Sequence, residues 1–247
     1  MIASLPMYLR PELADAHDRY WSLIRGGLEA AGIAAPERLS QDAAEEEVWL
    51  NPGLVLSQTC GMPYRIRLHE RVALVGTPDF GLDGCSPGYY RSAIVVRADD
   101  PRRELGEFRD AVFAYNQTDS QSGYAAMYHH VAALGFWFER TMLSGGHAKS
   151  VEAVASGQAD VASIDAVSWR LIERYGDTAR ELRVIDWTEP TPGLPYIAAG
   201  DAKVRAVAAA VTAAIDGLAD DDRAALGIRA LVSIPRRAYL AIPNPGA

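Results

Sequence analysis

Val112-Phe113-Ala114-Tyr115-Asn116 runs straight into Gln117-Thr118-Asp119-Ser120-Gln121-Ser122-Gly123-Tyr124, and this passage decides the fold class. Its first half is apolar and aromatic, the composition of a buried strand. A polar turn follows, and a helix opens near Ser122. Strand, short turn and helix together form the repeating unit of an α/β fold. The first turn of a helix leaves N–H groups without intrahelical partners and carries the positive end of the dipole. Ser120 and Ser122 add hydroxyls there, with Gln121 between them, and Gly123 leaves the backbone open to close approach. Such a turn suits a small oxyanion. It equally suits plain helix capping by Asp119, Ser120 or Ser122.

The same alternation extends along the chain in both directions. Ile2 to Tyr8 reads as a strand and Leu13 to Ala31 as a helix ended by Gly32. Leu54 to Ser57, Ala73 to Thr77 and Tyr89 to Ala98 read as strands. Beyond Asp99-Asp100-Pro101 the pattern restarts. Glu139 to Leu143 is a short strand, Ser150 to Ser156 a helix stopped by Gly157, Asp160 to Asp165 a strand, Val167 to Tyr175 a helix and Arg183 to Thr188 a strand. Pro190, Pro192 and Pro195 punctuate a return. Helices at Asp201 to Leu218 and Asp220 to Leu226 follow, and then an irregular, proline-containing tail. Residues 99–187 form a complete α/β block. Residues 1–98 and 188–247 are then expected to build a first lobe together, giving a hinged clamp with a ligand cleft.

Bulk properties narrow the function. The 247 residues are 49% hydrophobic and 23% charged, with a formal net charge of −8, ordinary globular composition. The acidic balance excludes a broad nucleic-acid or anionic-membrane surface, but not a pocket that holds one anion with neutral donors. No apolar run reaches the ~18 residues of a membrane span. Met1 to Tyr8 lacks the basic and apolar regions of an export signal, so the chain as written is expected to be cytoplasmic unless a leader has been removed. The two cysteines, Cys60 and Cys85, permit a disulfide and equally permit two thiols. The five histidines are scattered. Only His129 and His130 are adjacent, and helical neighbours point about 100° apart, so neither a metal site nor a cofactor is expected.

Further polar residues recur where strands end. Asp165 closes an apolar strand, either facing a ligand crevice or capping the next helix. His147 lies in the glycine turn Ser144-Gly145-Gly146 before a helix. Tyr8, Gln58 (in Ser57-Gln58-Thr59-Cys60-Gly61) and Tyr90 (in Gly88-Tyr89-Tyr90-Arg91-Ser92) occupy comparable positions.

Taken in order, Ala3 to Tyr8, Ser57 to Gly61, Gly76-Thr77-Pro78, Tyr90-Arg91-Ser92, Ser120 to Tyr124, Ser144 to His147 and Pro192-Gly193-Leu194-Pro195-Tyr196 resemble the phosphate/phosphite/phosphonate-binding proteins of ABC transporters. The resemblance reaches about Gly200. It implies a type 2 periplasmic-binding fold, each lobe a mixed sheet flanked by helices, acting as a monomer with an ABC permease as partner. It implies that Ser120, Ser122 and Gly123 hold the oxyanion with Tyr90 and His147, and that Asp165 meets a ligand amine. Gln58, Tyr8 and Tyr196 are weaker carry-overs, and export to the periplasm would follow. The competing reading is a cytoplasmic cofactor-biosynthesis enzyme on the same fold, with His147 and Asp165 as an acid/base pair or Cys60 as a nucleophile.

Overall fold

The computed structural model describes residues 1–246. In chain order, β1 (Ile2–Ser4), β2 (Leu54–Gln58), β3 (Val72–Asp79) and β4 (Tyr89–Tyr90) lead to the first crossing. β5 (Ser92–Arg97), β6 (Val112–Tyr115), β7 (Arg140–Leu143), β8 (Val161–Asp165) and β9 (Leu182–Trp187) follow. β10 (Thr191–Pro192), β11 (Tyr196–Ala199) and β12 (Ala230–Val232) complete the set. Two compact units result: Met1–Tyr89 with Pro192–Ile242, and Tyr90–Thr191 with the segment from Pro243 onward.

The first unit has a five-stranded sheet in the order β1-β2-β11-β3-β12. β1 and β2 are parallel, while β11 runs antiparallel to both of its neighbours. All four residues of β11 are buried. The helix Ala14–Ala30 turns Ala16, Tyr20, Ile24 and Leu28 inward at four-residue spacing. It lies against Val204–Asp216 so closely that a Cβ on Gly27 would stand 3.0 Å from that of Ala210. It ends at Gly32, whose φ of 66° is the left-handed stop that glycine tolerates best.

The second unit has a five-stranded sheet in the order β7-β6-β8-β5-β9, with β6 parallel to β7 and β8 and β5 antiparallel to β8 and β9. Both faces are covered, which explains why its central strands read as nearly unbroken apolar runs. On one face Ala93, Val95, Ala114, Ala162 and Ile164 meet Val151, Val154, Trp169 and Ile172. On the other, Ile94, Val96, Phe113 and Val161 meet Phe108, Met127, Val131 and Phe138.

Three sequence expectations change. Ser92–Arg97, assigned above to residues 1–98, is the penultimate strand of the second sheet, paired with β8 and β9. Asp99-Asp100-Pro101 is a turn inside that unit, not its boundary, and Asp100 there is ion-paired to Arg102, which holds its carboxyl down at about 2. The chain crosses between units earlier, at Tyr89–Tyr90. β11 was not read as a strand because three prolines precede it. The tail, expected to be irregular, supplies β12 and the helix Arg236–Leu240, both too short to show periodicity. Tyr239 anchors that helix: fully buried, it donates to the Gly193 carbonyl at 3.1 Å and bonds the Thr77 hydroxyl. Tyr239→Phe leaves both partners unpaired in the interior and is expected to cost about 1–3 kcal/mol. An unchanged urea midpoint would remove the anchor from this account.

Candidate functional site

The turn after β6 is built as follows. Gln121–Ala125 forms a wide first turn that continues into the helix Ala126–Ala132, and Gln121, Ser122 and Gly123 are buried. Ser120 is the N-cap, its Oγ accepting the Gly123 N–H at 3.0 Å. The Ser122 carbonyl accepts two hydroxyls, Ser92 Oγ at 3.0 Å and Ser163 Oγ at 2.6 Å. Ser122 Oγ lies 3.0 Å from His147 Nε2.

Gly123 leaves room for a neighbouring side chain. A Cβ there would come within 1.8 Å of Asn116 Oδ1, so the Asn116 amide fills the space that glycine leaves. That oxygen is buried and has no hydrogen-bond partner.

His147 is the first residue of the helix His147–Ala155 rather than part of the turn before it. Ser144 holds the approach: its Oγ donates to the Tyr115 carbonyl at 3.1 Å and pairs with Ser150 Oγ at 2.7 Å. The ring is half-buried, and its Nδ1 is sealed from solvent. Burial lowers the His147 pKa to about 4, opposed by the Ser163 backbone. The imidazole is therefore neutral near pH 7. The lining of this turn offers hydroxyls and a neutral ring; Lys149, the nearest lysine in sequence, is exposed.

Asp165 is buried and caps the helix Ala166–Tyr175, its Oδ1 accepting the N–H groups of Val167 at 2.7 Å and Ser168 at 2.9 Å. Of the two readings of this residue, capping is the one its hydrogen bonds display. His147 bonds Ser122, and Asp165 bonds the backbone of the helix it caps. Tyr90 is buried just ahead of Ser92.

The remaining expected residues lie in the first unit. Gln58 and Tyr196 are cross-strand partners. Gln58 Nε2 donates to the Leu194 carbonyl at 3.1 Å, and Gln58's own carbonyl accepts from Trp49 Nε1. The Tyr196 hydroxyl sits 3.5 Å from that of Tyr20, and burial pushes its pKa up to about 12. Tyr8 packs edge-on against Phe80 with ring centroids 5.0 Å apart. Cys60 and Cys85 stand as two half-buried thiols rather than a bridge.

Ser92, Ser163 and Asn116 were not singled out from the sequence. The readable signal was a serine inside an otherwise apolar, doubly covered strand, since such a hydroxyl needs a partner. Among the described residues no three His, Cys, Asp or Glu cluster as a metal site would require, and no helix is long and apolar enough to cross a membrane.

A family model described as "ABC transporter, phosphonate, periplasmic substrate-binding protein" matches residues 60–234. No curated protein matches the sequence. Among solved structures, PhnD1 of Prochlorococcus marinus in complex with methylphosphonate is similar at TM-score 0.71 and 14% identity, covering 98% of this chain and 95% of that one. A binding protein component of an ABC phosphonate transporter from Pseudomonas aeruginosa gives 0.70 at 17% identity, covering 98% and 83%. XAC2383 from Xanthomonas citri, bound to ATP, gives 0.70 at 14%, covering 98% and 94%.

The lowered His147 pKa has a consequence for stability. The unfolded chain protonates this ring near 6.5, the folded chain only near 4. Its contribution is therefore complete above pH 6.5 and lost as pH falls from 6.5 through about 4, by at most about 3 kcal/mol. Urea melts of wild type and His147→Gln across this range are expected to converge as the pH drops. A pH-independent difference between the two would mean the ring is not held neutral by the fold.

Proposed function

This chain belongs to the periplasmic substrate-binding proteins of phosphonate ABC transporters, and we propose that it closes on a small phosphonate-like oxyanion and delivers it, after export to the periplasm, to a membrane permease. The observation that carries the ligand class is the turn at Ser120–Gly123. Its hydroxyls gather where a helix opens, with neutral His147 beside them.

Ser120 Oγ accepts the Gly123 N–H and keeps its own proton to donate. Ser122 Oγ shares one hydrogen bond with His147 Nε2, and with the ring proton on Nε2 the Ser122 hydroxyl keeps its own for a ligand oxygen. Two neutral donors and the positive end of the helical run Gln121–Ala132 favour an anion without a buried cation. Because the anion would arrive with its charge unpaired, its release leaves no uncompensated buried charge behind, which suits reversible carriage. Methylphosphonate is the natural first ligand, on the support of the structural likeness to PhnD1 in complex with it.

Calorimetry and thermal shift with methylphosphonate, phosphite, phosphate, sulfate and malate test this reading. A bound phosphonate at about 100 times its Kd stabilises the fold by about 2.7 kcal/mol, a readily measured rise in melting temperature. Ser122→Ala is expected to weaken that ligand about 10- to 100-fold, the usual worth of a hydrogen bond to a charged group. If no phosphorus oxyanion raises the melting temperature at millimolar concentration, the oxyanion assignment falls.

A further inference from the structure

We infer that Ser92 and Ser163 are positioning residues for the oxyanion turn: from two neighbouring strands they fix the Ser122–Gly123 peptide, and so the direction in which Ser122 presents its hydroxyl. The inference rests on reading that turn as the ligand site.

Register carries the argument. In the antiparallel pair β5–β8, Ser163 stands opposite Ile94 and Ser92 opposite Asp165. Ser92 and Ser163 are therefore diagonal neighbours on one face of the sheet. Ser92 is 1% exposed and Ser163 is fully buried, each among alanine, valine and isoleucine. A hydroxyl in that setting is costly unless it is bonded. Both are spent on the same acceptor, the Ser122 carbonyl.

The peptide plane transmits this restraint. Carbonyl and N–H point in opposite directions across a planar trans peptide. With the Ser122 oxygen held by the sheet, the Gly123 N–H is aimed away from it, and Ser120 Oγ accepts it there at 3.0 Å. Capping needs only that last bond; the pair of sheet hydroxyls is additional. One peptide is thereby held at both ends, and Ser122 Oγ is left directed at His147 Nε2. Alanine at 92 and 163 would keep both strands apolar and buried while releasing the carbonyl.

The test uses the full chain with Ser92→Ala, Ser163→Ala, the double variant and Ser163→Thr. Two readouts are taken: methylphosphonate affinity by calorimetry, and the imidazole 15N signals of ligand-free His147. The double variant is expected to bind about tenfold more weakly and to shift the His147 signals, because Ser122 Oγ no longer holds its place. Ser163→Thr, which restores a hydroxyl, recovers most of the loss, a recovery that mere strand stability would not predict. Each single variant leaves the carbonyl one donor and is expected to lose affinity less than the double; if the double variant does not fold, the singles decide by the same two readouts. Wild-type binding together with variant affinity within twofold overturns the inference and leaves the proposed function standing. If wild type binds none of the anions, the proposed function fails, and unchanged His147 signals in the double variant overturn the positioning role independently.

Discussion

The Ser122–Gly123 peptide is the constraint around which the second unit is organised. Its carbonyl accepts two sheet hydroxyls, those of Ser92 and Ser163. That solution requires β5 and β8 to be adjacent and in the register that places position 92 diagonal to position 163. Glycine at 123 leaves the volume of a Cβ to the Asn116 amide. Topology, register and one glycine are thus tied to the orientation of a single peptide.

The electrostatics around that peptide follow from burial rather than from charge. The chain carries a net charge of −8, and its well-paired ions lie elsewhere. Arg97 and Arg102 meet Asp100 and Asp160 at the far end of β5 from Ser92. That network carries formal charges, whereas the turn carries oriented dipoles and a ring kept neutral by its surroundings. Dipoles fixed by a rigid sheet need little rearrangement when an anion arrives, whereas a flexible lysine would have to be ordered first.

The sequence disclosed the elements more reliably than their grouping. Alternation of strand and helix was visible because the second sheet is covered on both faces, making its strands apolar throughout. Gly157 stops a helix as read, with φ of 77°. The unit boundary was misplaced because Asp99-Asp100-Pro101 punctuates more strongly than Gly88-Tyr89-Tyr90, although only the latter marks a crossing. At the site, Ser120, Ser122, Gly123 and His147 could be picked from one strand–turn–helix passage and one glycine turn, and the structure brings them together. Ser92 and Ser163 could not, since what joins them to Ser122 is pairing between distant segments. Polar residues at strand ends also proved ambiguous: Gln58 ties down the Leu194 carbonyl and Tyr196 meets Tyr20 in a core.

Asp165 shows how one local rule can serve two readings. Its carboxyl group accepts two N–H groups at the opening of a helix, which fixes the side chain. An acidic group so placed is already partly compensated by the helix it caps, so a ligand amine would gain less from it than from an uncommitted carboxylate. The Ser120 turn differs, because there a hydroxyl does the capping. Two helix openings on one sheet thus diverge in chemistry. One satisfies its N–H groups with a carboxyl group, and the other holds its peptide in place with neutral hydroxyls.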